Sequence, residues 1–209
     1  MKVLIISDTH GKSSCIEQIY DIVGDVDMLI HLGDVEGDEE LIYDLFNCEI
    51  HMVRGNCDYN AELPIYDEFN IGDKRAFITH GHRYGVNSGT AYLEELIDLE
   101  GYDFVMYGHT HRRDLTTYKN SYIVNPGSLA LPRDNRVGTY MLLDFDQHGT
   151  PFFAENELPR LESRMCQVFE ENLTCSISPA EGSFKWLMFH TGGEEEKEFL
   201  GEHLGVGHI

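Results

Sequence analysis

The chain has 209 residues, enough for one domain with a sizeable core and no need of covalent staples. Its 37 acidic residues against 15 basic ones leave a net charge of −22, and without a Lys/Arg cluster that field repels a long nucleic-acid backbone. Five cysteines, Cys15, Cys48, Cys57, Cys166 and Cys175, show no CxxC spacing, so they read as reduced thiols and not as zinc-finger ligands or a disulfide framework.

In chain order, Val3 to Ser7 opens as a short β-branched and aliphatic strand followed by Asp8-Thr9-His10-Gly11. The apolar run is too short for a signal-peptide core, and no later segment is long and apolar enough to span a bilayer, so a cytoplasmic location without membrane contact is expected. Lys12 to Val23 fits an amphipathic helix with Ile16, Ile19, Tyr20 and Val23 on one face. Met28 to Leu32 reads as a buried strand ending in Gly33-Asp34, Glu39 to Phe46 as a helix, and Glu49 to Arg54 as a strand ending in Gly55-Asn56. Strand, polar loop and helix alternate, which predicts an α/β layered fold with parallel pairing.

Phe69 to Ile71 and Arg75 to Thr79 then resemble a hairpin about Gly72-Asp73, and a helix fits Gly89 to Leu99. Phe104 to Tyr107 makes a strand before Gly108-His109-Thr110-His111. Leu115 to Tyr118, Ser121 to Val124 and Tyr140 to Phe145 are expected in a second, more antiparallel sheet. Residues 1–157 form one domain in this reading. Residues 158–209 are an extension of unknown role, packed on or trailing from the same domain, with packing expected around Phe184, Trp186, Leu187 and Phe189.

The chemistry lies in what ends the strands. In α/β sheets ligands bind beyond the carboxyl ends of the strands. Here one apolar run after another stops at a potential metal ligand: Asp8 and His10, Asp34, Asn56, His80, then His109 and His111. Carboxylates, imidazoles and a carboxamide without thiolate suit borderline-hard divalent cations such as Mn, Fe, Zn or Co. Any one of these residues alone is better explained as a turn or a core histidine. Together, each after an apolar run and beside a glycine, they point to a metal site.

These motifs resemble the calcineurin-like metallophosphoesterases: Asp8-x-His10, Gly33-Asp34, Gly55-Asn56, His80 before Gly81, and Gly108-His109-x-His111. Arg54-Gly55-Asn56-Cys57-Asp58, Thr79-His80-Gly81-His82 and Asn125-Pro126-Gly127-Ser128 are similar to the small bacterial and archaeal phosphodiesterase branch related to the retromer subunit Vps29. The resemblance implies a four-layer α/β/β/α sandwich of two mixed β-sheets. It also implies two divalent metal ions, with Mn2+ a frequent activator and Zn2+, Fe2+, Ni2+ or Co2+ as others. Asp8, His10, Asp34 and His111 would hold the first, and Asp34, Asn56, His80 and His109 the second, with Asp34 shared. Non-catalytic relatives commonly lose one ligand; here the set is complete.

Two cations roughly 3.5–4 Å apart activate a shared water for in-line attack on phosphorus, so the expected activity is hydrolysis of a small phosphodiester by a hydroxide bridging two divalent metals. Asp34, Asn56 and His82 are the expected catalytic residues. Many relatives carry His directly after the Asn ligand, but Cys57 stands there, and a thiol is a poorer general acid. His82 reads equally as the missing donor and as a group that holds its loop. Asp58 either orients a ligand or forms a turn, His31 is structural, and Asn125 to Ser128 is a tight turn closing one side of the site. Arg54, Arg83, Arg112 and Arg133 lie near the loops and could clamp phosphate. A scaffold of the Vps29 type and a nuclease are the competing readings. Cyclic nucleotides, nucleotide-derived diesters and phospholipid headgroup fragments all fit as substrate, and a homo-oligomer is compatible.

Overall fold

The structure, a computed structural model, describes residues 1–159. The first three apolar runs become β1 (Val3–Ile6), β2 (Met28–His31) and β3 (Glu49–Met52), linked by α1 (Ser13–Val23) and α2 (Glu39–Leu45). Val3 stands opposite Met28 and Met28 opposite Glu49, both pairings parallel. Parallel neighbours need a crossover, and the two helices supply it.

The second sheet contains β4 (Tyr66–Ile71), β5 (Lys74–Thr79), β6 (Phe104–Met106), β7 (Arg113–Tyr118) and β8 (Ser121–Pro126), in the order β4-β5-β6-β8-β7. Gly72-Asp73 does close the β4–β5 hairpin, with Ile71 opposite Lys74. Two short 3-10 turns, His82–Tyr84 and Val86–Ser88, lead from β5 into α3 (Ala91–Glu100). The chain then returns to β6, parallel to β5, and β8 is parallel to β6. This sheet is therefore mixed, not predominantly antiparallel.

The stretch Tyr140 to Phe145 is a correction to the sequence reading. It forms β9 (Thr139–Phe145), which joins the first sheet antiparallel to β1, with Val3 opposite Leu143. A further strand, β10 (Pro151–Glu157), pairs with β9 and completes the order β10-β9-β1-β2-β3. Tyr140, Met141 and Leu143 are all buried, as an interior strand requires.

Side-chain alternation sorts the core into three slabs. Val3 and Ile5 of β1 face Phe104 and Met106 of β6 in the slab between the sheets, together with Met28, Ile30, Ile78 and Val124. Leu4 and Ile6 turn the other way, onto Ile16 and Ile19 of α1 and Ile42 of α2. Phe77, Val105 and Ile123 pack against Leu93 and Ile97 of α3. Three slabs between four layers make the α/β/β/α sandwich. Leu158 is buried in the α1–α2 slab. Residues 160–209 of the expected extension, including Phe184, Trp186, Leu187 and Phe189, lie outside the described residues. No helix among the described residues is long and apolar enough to cross a membrane.

Candidate metal centre

The loops that follow β1, β2, β3, β5 and β6 meet at one edge of the sandwich. The Asp8 N–H donates to Gly33 O at 3.0 Å, that of His10 to Asp34 O at 2.9 Å, and that of Gly108 to His80 O at 3.2 Å. The backbone is bent to do this. Asp8, His10, Asp34, Glu36, His109 and His111 all have positive φ, between 50° and 67°. Such non-glycine conformations cost about 1–3 kcal/mol each and gather where the surrounding structure enforces them for a purpose.

Three histidines have their tautomers set by neighbours that can only accept. His10 Nδ1–H donates to Glu36 Oε1, His80 Nδ1–H to Leu32 O and His111 Nδ1–H to Leu131 O, each at 2.7 Å. In the neutral rings every Nε2 is therefore a lone pair, and all three aim inward. His10 Nε2 and His111 Nε2 face each other at 3.2 Å. His80 Nε2 lies 3.1 Å from Asn56 Oδ1 and 3.4 Å from Asp34 Oδ2. Asp8 Oδ2 accepts from Ser7 Oγ at 2.6 Å and from the His109 N–H at 3.1 Å. Its other oxygen, Oδ1, is buried with no donor among the described residues, 3.2 Å from the His111 Nε2 lone pair.

Acceptors facing acceptors across 3–4 Å repel one another unless a cation lies among them. The ligand atoms of Asp8, His10 and His111 form one such group, and those of Asp8, Asp34 and His80 a second, each with all members within 4.8 Å of one another. The set fits divalent metal ions by geometry and donor chemistry alike. Charges follow the same pattern. Burial would raise the Asp34 carboxyl, but the His80 imidazole and the Cys57 N–H, donating at 2.7 Å, hold it well below the usual carboxylate range. Burial pushes His80 down, yet the Asp34 and Asp8 carboxylates and the Leu32 carbonyl raise it overall. His111 is raised by its contact with Asp8.

Asp58 resolves as an organiser of the loops. Its Oδ2 accepts the N–H groups of Asp34 at 2.8 Å and Gly55 at 2.7 Å, while Oδ1 accepts that of Glu36 at 2.8 Å. Asn125 likewise donates to Gly108 O at 3.0 Å and Thr110 Oγ1 at 3.1 Å, and accepts the Gly127 N–H at 2.9 Å. Ser128 Oγ donates to Asp8 O at 2.8 Å and accepts the Leu131 N–H at 2.7 Å, which places the Leu131 carbonyl for His111. Gly55 and Gly108 are among the glycines with no room for a side chain. A Cβ on Gly55 would stand 2.1 Å from Asp34 Oδ1, and one on Gly108 2.1 Å from Ser7 Oγ.

Not every expected ligand sits equally deep. The His109 ring centroid is 5.2 Å from that of His80, and the Asn87 amide meets its Nε2 at 2.9 Å, leaving Nδ1 as the nitrogen without a partner among the described residues. His82 lies beside both, 5.4 Å from the His80 ring and 6.0 Å from that of His109, with Nδ1 buried and unpartnered among the described residues. Burial lowers its pKa, and His80, His109 and Arg83 lower it further. Burial, then Asp34 and Glu36, push the Cys57 thiol up to about 12.

His31 is structural. Its Nδ1 accepts the Gly33 N–H at 3.2 Å, so Nε2–H donates to Thr9 Oγ1 at 3.0 Å. Arg54 and Arg83 share a cleft with Asn56 and His82, whereas Arg133 lies near His111 and Arg112 is exposed. Glu36 and Asn87 were not legible in the sequence, since neither belongs to a strand-end motif.

Comparison with known proteins agrees with this geometry. The family model described as "Calcineurin-like phosphoesterase superfamily domain" matches residues 1–148. The probable metallophosphoesterase YsnB of Bacillus subtilis is 30% identical over 173 residues, covering 79% of this chain and 99% of that protein. The phosphodiesterase YfcE of Escherichia coli is 29% identical over 170 residues, covering 70% and 89%. Among solved structures, Vps29 of Entamoeba histolytica complexed with Zn2+ superposes with a TM-score of 0.59 at 22% identity, covering 76% of this chain and all of that one.

Proposed function

Because the chain belongs to the calcineurin-like phosphoesterase superfamily, we propose that its converging side chains hold two divalent cations and that it hydrolyses a small phosphodiester. One observation carries this reading: the inward Nε2 lone pairs of His10, His80 and His111 surround carboxylate oxygens, one of them a buried Asp8 oxygen without a donor among the described residues. Asp8, His10, Asp34 and His111 would hold one ion. Asp34, Asn56, His80 and His109 would hold the other, with Mn2+ the expected occupant. Two such ions supply Lewis acidity, lowering the pKa of water and neutralising charge on the phosphoryl oxygens.

The protein's own part is to keep those donors fixed and correctly protonated. Asp34 stays ionised, the three Nδ1–H bonds keep the imidazoles from rotating, and Asp58 holds the β2 and β3 loops in register. Cys57, still a thiol at neutral pH, is a weak proton donor, so His82, protonated there only in a minor fraction because its pKa is lowered, is the residue assigned to the leaving oxygen. The residues that carry this chemistry fall within 1–157, and the enzyme is read as cytoplasmic, acting on small esters and not on nucleic-acid polymers.

The fold likeness to Vps29 favours one second reading, a non-catalytic scaffold. Hydrolysis of bis(p-nitrophenyl) phosphate against p-nitrophenyl phosphate separates the two. Mn2+-dependent turnover of the diester, lost in Asp34→Asn and His80→Ala, is the expected result. A folded, metal-loaded protein that turns over neither ester is the scaffold.

A further inference from the structure

Beside the metal centre lies a cleft of about 250 Å3 lined by Arg54, Gly55, Asn56, Asp58, Tyr59, Ile65, His82 and Arg83. It opens directly off the ligand cluster, because Asn56 belongs to both: its Oδ1 faces His80 Nε2 at 3.1 Å. Its volume is below the roughly 300–1,000 Å3 of sites that enclose a whole drug-sized ligand. It suits one substituent of an ester whose phosphorus sits on the metals.

The lining is cationic in a chain of net charge −22. The guanidinium groups of Arg54 and Arg83 make no hydrogen bond or ion pair with any described residue, while Arg75, Arg113, Lys74 and Lys119 are all engaged with protein oxygens. The sole carboxylate in the cleft, Asp58, is taken up by three backbone N–H groups and is 4% exposed, so its oxygens form no ion pair with the arginines. Tyr59 stands at the rim with 85% of its surface exposed, a flat face for a ring. Two uncommitted planar forks next to an aromatic face match a phosphate carried on a ring-bearing moiety.

We propose that this cleft is a second phosphate subsite, and that the preferred substrate is a phosphodiester whose projecting substituent carries a further phosphate group, as in a phosphorylated dinucleotide. This rests on the phosphodiesterase reading above. Local cations there would also offset the repulsion that the global charge imposes on such a substrate.

The test is calorimetric binding of thymidine 3′,5′-bisphosphate against thymidine 5′-monophosphate to the Mn2+-loaded protein, which needs no turnover. The bisphosphate is expected to bind at least about tenfold more tightly, and the advantage to disappear in the Arg54→Gln/Arg83→Gln double variant and shrink in Arg83→Gln alone. Equal affinities, or an advantage that survives the double substitution, overturn the subsite. Bis(p-nitrophenyl) phosphate turnover is measured on the same preparation. If it persists while the bisphosphate shows no advantage, only the subsite is wrong; if no ester is hydrolysed, the phosphodiesterase reading fails and the subsite with it.

Discussion

Asp58→Asn probes the scaffold of the site with almost no change of shape. The carboxylate accepts three backbone N–H groups, two at Oδ2 from Asp34 and Gly55 and one at Oδ1 from Glu36, all at 2.7–2.8 Å and out of solvent. An amide has one acceptor oxygen. If that oxygen serves Asp34 and Gly55, the new NH2 meets the Glu36 N–H donor to donor. One hydrogen bond to a charged group, worth about 1.5–3 kcal/mol, is lost, and the remaining two each weaken by about 1–1.5 kcal/mol towards the 0.5–1.5 kcal/mol of neutral bonds, for a total of about 3.5–6 kcal/mol. Urea unfolding of metal-free protein, followed by circular dichroism, reads this directly. The loosened β2 and β3 loops also carry Asp34 and Asn56, so Mn2+ affinity is expected to fall about 10–100-fold. A stability loss under about 1 kcal/mol together with unchanged Mn2+ affinity would show that these three bonds do not hold the ligand loops.

Gly55→Ala drives a methyl group into Asp34 Oδ1 and is expected to cost about 3 kcal/mol or more and to abolish tight metal binding, whereas Gly72→Ala, at φ 62° with open space around it, costs only about 1–2 kcal/mol; equal melting temperatures for the two variants refute the steric reasoning. Saturating Mn2+ at about 100 times its dissociation constant adds about 2.7 kcal/mol per ion to stability, so chelation should lower the melting temperature of wild type and barely move Asp34→Asn. Burial lowers His31 to about 4, so below its ordinary value near 6.5 the unfolded chain takes a proton that the folded one refuses. Stability of the metal-free protein therefore falls as pH drops from about 6.5 to about 4, by about 3 kcal/mol from this residue. His31→Gln should flatten that slope by up to one proton, and an unchanged slope counts against it. Last, His82→Ala is expected to slow alkyl diesters far more than p-nitrophenyl diesters, whose leaving group needs no donor; equal slowing of both removes His82 from proton transfer.

The strand-end residues were legible because a polar ligand after a fully apolar run, beside a glycine, conflicts with packing alone. Asp8, Asp34 and His80 each stand there, and each is buried at the site. The first three strands and their helices were legible for the same reason: Val3 to Ile6 and Met28 to Ile30 are buried on both faces and read as continuous apolar runs. The partner of β9 was not, since which strand lies beside Tyr140 to Phe145 is set by tertiary contacts with β1 and leaves no local mark. β10 escaped notice because Ala154-Glu155-Asn156-Glu157 is a poor β sequence that survives at a sheet edge, paired on one side with β9. Nor does sequence announce that Asp8, His10, Asp34, His109 and His111 adopt positive φ, or that Glu36 is the residue holding His10. Those follow from the way five loops must share one small volume.

The central claim is that two ions act together in this cluster, and a titration of Mn2+ into metal-free protein tests it most directly, with bound metal read by calorimetry and bis(p-nitrophenyl) phosphate hydrolysis followed at each point. Two ions per chain, with hydrolysis rising as the second binds and each of His111→Ala and Asn56→Ala reduced to a single tight ion, is the expected result. Full activity at one ion per chain, or hydrolysis unaffected by metal, would contradict it.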